Sequence, residues 1–184
     1  MITIENSIRS FYVILLFAVS ISCYFLNGIV EDQAQIETEQ NYESTAPTAI
    51  EMYQLLEKYA EQYNIPKHIV YNIAYLESRY KGPFDWSYEP SLESFAGAVG
   101  PMQVMVSTAQ FINHKSITKN RLKNDIETNI KTSMKLLRRL HDMYGNWTLV
   151  CGAYNTGRPI VNDYAIFCVS NKDYRRNWIY YQKK

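Results

Sequence analysis

From Thr48 onward the chain repeats one pattern, apolar residues three and four positions apart, with no useful length of apolar and polar alternation. That period belongs to α-helices with one buried face, and it leaves no sheet to organise the fold. Met52, Leu55, Leu56, Tyr59, Ala60 and Tyr63 form the first stripe, and Thr48-Ala49-Ile50-Glu51 reads as a capping box opening that helix. Pro66 stands near the first turn of a second helix, where its missing N–H does no harm. Ile69, Val70, Ile73 and Ala74 form its buried face, and Gly82-Pro83 reads as its stop. Residues 83–99 read as a loop, with another helix predicted from near Pro101. Residues 124–144 form a long amphipathic helix carrying Ile126, Ile130, Met134, Leu137 and Tyr144, ended by Gly145. Asn146 caps a helix over residues 147–155, broken by Gly157 and Pro159, and one or two short helices are expected near residues 174–181. The fold class is all-α.

Ahead of this pattern lies a different one. Residues 11–30, FYVILLFAVSISCYFLNGIV, carry no charge. About 20 such residues span a bilayer as one helix. Arg9 before the run and Glu31 and Asp32 after it favour a cytoplasm-in, domain-out orientation, although Glu5 offsets Arg9. An uncleaved transmembrane anchor over residues 1–30 is the first reading, a cleaved signal the second. A lipoprotein acylated at Cys23 is the third, because Tyr24, Phe25 and Leu26 keep the run apolar past the cysteine. All three place the domain in the cell envelope, outside the cytoplasmic membrane. Residues 31–48 hold Glu31, Asp32, Glu37, Glu39 and Glu43 with no Lys or Arg, which reads as an acidic flexible linker. The folded domain is then residues 49–184.

Composition narrows the chemistry. A net charge of +1 gives no basic signature for nucleic acid. His68, His114 and His141 are scattered and the cysteines have no metal-ligand spacing, so no metal is expected. Cys151 and Cys168 are candidates for a disulfide in an exported domain, a pairing that depends on a Cα separation sequence does not give. The 16 tyrosines suit either half-buried surface or a wet, sugar-lined groove.

One residue breaks the helical pattern. The stripe of the second helix runs 66, 69, 70, 73 and 74, and its next member is Glu77. Burial and the negative end of the helix dipole both raise the pKa of a carboxyl there. A carboxyl that keeps its proton near neutral pH suits cleavage of a glycosidic bond, whose leaving oxygen must be protonated. A lone glutamate at a helix end more often reaches out to solvent.

The neighbours of Glu77 shift that balance. Ser78 follows it, then SFAGAVGPMQVM from Ser94, then Ala153-Tyr154-Asn155-Thr156-Gly157. In order and rough spacing these resemble the signature motifs ES, G-x-x-G-L-M-Q and A-Y-N-x-G of the soluble-type lytic transglycosylases, glycoside hydrolase family 23. The resemblance covers about residues 50–165. It implies a lysozyme-like helical domain that cleaves peptidoglycan between N-acetylmuramic acid and N-acetylglucosamine, leaving 1,6-anhydromuramoyl ends, with no cofactor. It assigns Glu77 as the single catalytic acid and base. It places Ser78 and Ser94 near the glycan, Met102 and Gln103 along the sugar subsites, Tyr154 as the phenol orienting the glutamate, and Asn155 beside it. Gly97 and Gly100 would allow close backbone approach and a tight turn. Family analogy also suggests service to a secretion, conjugation or phage-related complex.

Two departures stand out. Pro101 replaces the usual leucine, and the segment between Ser78 and Ser94 is longer than is typical. That segment holds Phe84, Trp86 and Tyr88, suited to stacking on sugars or to packing among themselves, and the acids Asp85, Glu89 and Glu93. An acid holding a water opposite Glu77 would make the enzyme a hydrolase, like goose-type lysozyme. A glycan-binding module without catalysis is the third alternative.

Overall fold

The computed structural model describes residues 46–174, which fold into seven helices. These are α1 (Thr48–Gln62), α2 (Lys67–Ser78), α3 (Val106–Asn113), α4 (Lys119–Asn124), α5 (Ile126–Tyr144), α6 (Trp147–Thr156) and α7 (Asp163–Ser170). Among the described residues no strand forms, only isolated antiparallel bridges of Val99 with Glu93 and Val104. None of these helices is long and apolar enough to cross a membrane. The apolar run over residues 11–30 and nearly all of the linker lie outside the described residues, as does most of the 174–181 segment.

The core is where the stripes put it. Ile69, Val70, Ile73 and Ala74 of α2 share one core cluster with Met52 and Leu56 of α1 and Ile130, Met134 and Leu137 of α5, each no more than 1% exposed. Each of these side chains other than the Ala74 methyl contributes roughly 1.5–3 kcal/mol on leaving water. α5 packs on α1, α4 and α6, and α7 lies against both α6 and α2. Two ends follow the sequence signals closely. Gly145 and Gly157 close α5 and α6 in the left-handed region, and Asn146 accepts from the Thr148 and Leu149 amides as the cap of α6.

Other ends differ from expectation. Pro47, not Thr48, precedes the first turn of α1, and no side chain caps it. The Thr48 hydroxyl instead donates to the Tyr88 carbonyl (3.1 Å), so a tertiary contact displaces the capping box. α2 ends at Ser78 with Arg79 left-handed, before Gly82-Pro83. No helix begins at Pro101; residues 100–103 form a turn closed by the Gln103 amide on the Gly100 carbonyl (3.1 Å), and α3 starts at Val106. The predicted 124–144 helix is split, because Asp125 closes α4 and caps α5 by accepting from Thr128 N (2.8 Å). The sequence pattern predicts no helix over the α7 residues, yet Asn162 caps one there in the ordinary way, accepting from Ala165 N.

Candidate functional site

Glu77 is the penultimate residue of α2 and is half-buried. Tyr164 of α7 donates its hydroxyl to Glu77 Oε1 at 2.6 Å. Burial raises the Glu77 pKa above its ordinary value, and the Tyr164 hydrogen bond pulls the other way. Burial dominates because a carboxylate stripped of water loses more solvation than one phenol returns. Tyr164 and Tyr154 are both held well above the usual phenol range, first by burial and then by the charge of Glu77. Both are therefore neutral donors.

The tyrosine hydrogen-bonded to Glu77 is Tyr164, whereas the resemblance pointed to Tyr154. The hydroxyl of Tyr154 donates to the Met102 carbonyl (2.7 Å) and reaches Ser133 Oγ (3.3 Å). Tyr154 stands near Glu77 but clamps the 100–103 turn, and Tyr164 takes the carboxyl. Nothing in the local sequence separates these two phenols.

The remaining polar motif residues are hydrogen-bonded within the scaffold. Ser78 is buried, donates to the Ala74 carbonyl (3.1 Å) and meets the Tyr88 hydroxyl (3.3 Å). Ser94 closes a tight turn, its hydroxyl accepting from Ala98 N (3.0 Å). The Met102 side chain is fully buried in the core. Gln103 adopts a left-handed backbone (φ 48°) and its amide donates to Gly100 O (2.9 Å) and Leu92 O (3.3 Å). Asn155 is exposed and accepts from Asn162 (3.1 Å), tying the end of α6 to the cap of the helix that carries Tyr164.

Two supports were not visible in the sequence. Asn129 of α5, fully buried, donates to Val99 O (2.8 Å) and Leu122 O (2.9 Å) and accepts from Met102 N (3.0 Å). It holds the turn that Tyr154 grips from the other side. Gly100 (φ +78°) lies against this amide, and a Cβ there would stand 2.7 Å from Asn129 Cγ. Gly152 of α6 is approached by the Ile160 backbone so closely that a Cβ would overlap the Ile160 carbonyl.

The long loop resolves into inward and outward parts. Tyr88 packs edge-on against Tyr80 (5.0 Å), both buried, while Trp86 is 72% exposed. Its acids have their own partners. Asp85 accepts from Ser87 (2.8 Å), Glu89 from Ser91 (2.6 Å), and Glu93 pairs with Lys119 (2.5 Å) and Lys123 (3.5 Å). No group of three His, Cys, Asp or Glu side chains suited to a metal occurs among the described residues.

The arrangement is a protonatable carboxyl with one oxygen fixed by a neutral phenol. Against this geometry, the sequence profile of the family described as Transglycosylase SLT domain matches residues 54–166, more than half of the chain. A solved structure described as the X-ray structure of lytic transglycosylase Slt from Pseudomonas aeruginosa, an inactive mutant, matches the fold with a TM-score of 0.50. The two are 20% identical, and the match covers 79% of this chain and 26% of that chain, so this chain spans about a quarter of that protein's length. No curated protein sequence matches.

Proposed function

The chain belongs to the Transglycosylase SLT domain family, and on that premise we propose that it is a peptidoglycan lytic transglycosylase of glycoside hydrolase family 23 with Glu77 as its one catalytic acid and base. The observation that carries this reading is the Glu77 carboxyl, half-buried at the end of α2, raised in pKa by burial and fixed at 2.6 Å by Tyr164. Tyr164 occupies Oε1, which leaves Oε2 to carry the proton.

In this reading Glu77 gives its proton to the oxygen between N-acetylmuramic acid and N-acetylglucosamine as that bond breaks. The acetamido group of the muramic acid stabilises the positive carbon. Glu77 then takes the proton of the muramic acid 6-hydroxyl as that oxygen bonds to C1. The product is the 1,6-anhydro ring, no water is consumed, and Glu77 ends protonated as it began. A substrate-supplied acetamido group removes the need for a second carboxylate. The separate partners of Asp85, Glu89 and Glu93 favour this over hydrolysis. On sequence alone, residues 11–30 would tether the domain outside the cytoplasmic membrane.

The test is digestion of purified peptidoglycan with wild type and Glu77→Gln, followed by mass spectrometry. Anhydromuramoyl products from wild type, absent with the variant, are expected. Reducing muramic ends without anhydro product would establish a hydrolase, and no cleavage by either protein would leave a binding module.

A further inference from the structure

Cys151 and Cys168 are buried nucleophiles that the proposed chemistry leaves unused. Cys151 lies on α6 and Cys168 on α7; both are free thiols with no solvent exposure. The two helices pack against each other, and both thiols lie in the core they share. The neighbouring Cys151 thiol, then burial, pushes the Cys168 thiol up from its ordinary value. Each cysteine sits one helical turn from a site tyrosine, Cys151 before Tyr154 and Cys168 after Tyr164. The Cys168 carbonyl also accepts from Asn72 of α2 (2.9 Å), the helix that carries Glu77.

We propose that Cys151 and Cys168 form an intramolecular disulfide that staples α6 to α7 behind the Glu77 site when the chain folds in the presence of a disulfide donor. One cysteine thiolate attacks the donor disulfide and expels one donor thiolate. The second cysteine then attacks the protein sulfur of the mixed disulfide and expels the other. The two protein thiols lose two electrons, the donor gains them, and the protons released appear on two donor thiols. Because both sulfurs are sealed and Cys168 is held protonated in the fold, the exchange belongs to folding, before α7 closes on α6. Once closed, the same burial shields the bond from reductants. The inference is independent of the reaction proposed for Glu77.

The experiment refolds the full chain in detergent with oxidised glutathione, or with dithiothreitol as the reduced control. Each sample is denatured, alkylated without reduction, digested and mapped by mass spectrometry. The expected result is a peptide joining Cys151 to Cys168 with Cys23 alkylated, and a melting temperature at least about 5 °C above that of the reduced protein. Cys151→Ala and Cys168→Ala should each abolish the joined peptide and the melting difference. If either variant fails to fold, the two wild-type samples decide the matter. Alkylation of both domain cysteines after oxidative refolding, a bridge to Cys23, or equal melting of the two forms overturns the proposal.

Discussion

The hydroxyl of Tyr164 donates to Glu77 Oε1 at 2.6 Å, joining residues 87 positions apart in the chain. The contact spans α7 and α2, so the glutamate's orientation depends on how those helices dock. Tyr154, on α6, grips the Met102 carbonyl instead. The site therefore has two neutral phenols with separate tasks, one on the carboxyl and one on the turn beside it.

Glu77→Gln should keep the fold and lose cleavage. Gln accepts the Tyr164 bond but has no proton to give. A rate loss of about 10²–10⁴ is expected in a turbidity assay on peptidoglycan, with unchanged far-ultraviolet circular dichroism.

The same variant should change stability with pH. The folded pKa of Glu77 lies above its unfolded value, because burial penalises the charge. The folded state then binds the proton more tightly, so this group's contribution is most favourable below the unfolded pKa. It falls as pH rises toward the folded pKa. Glu77→Gln lacks this loss. Urea midpoints should show the variant gaining on wild type between pH 4 and neutrality, and a constant offset across that range would contradict the assignment.

Tyr164→Phe should lower turnover about tenfold, with less change in apparent KM, since it frees the carboxyl without removing it. The hydrogen bond lowers the Glu77 pKa, so its loss raises that pKa further. The Glu77-dependent alkaline limb of the pH–rate profile should move upward. Tyr154→Phe removes no bond to Glu77 and should leave that limb in place.

Asn129→Ala should destabilise the domain by about 2–4 kcal/mol in thermal unfolding, because Met102 N, Val99 O and Leu122 O all lose a buried partner. Gly100→Ala should be comparably damaging, since it adds a Cβ against Asn129 at a positive φ. Asn129→Asp should not rescue the fold at neutral pH, because its buried carboxylate would set an acceptor oxygen against the Val99 and Leu122 carbonyls.

Gly152→Ala should damage activity as well as stability. Its methyl displaces the Ile160 backbone, and that segment leads into Asn162, the cap of the helix bearing Tyr164. Activity measured below the variant's melting temperature should still fall below wild type; full activity there would limit the effect to folding.

What the sequence determined by itself is local and periodic. The stripes of α1, α2 and α5, the caps at Asn146 and Gly157, and the inward position of Glu77 follow from a helical repeat and from backbone preferences a few residues long. The all-helical class follows from the same periodicity. What only the tertiary structure decided is which side chain meets which. Tyr164 rather than Tyr154 reaches Glu77, Thr48 leaves its capping role for Tyr88, and Asn129 secures the turn that carries Gly100, Met102 and Gln103. Those outcomes depend on the docking and register of helices far apart in the chain, and a hydroxyl or amide looks the same in sequence whichever partner it finds.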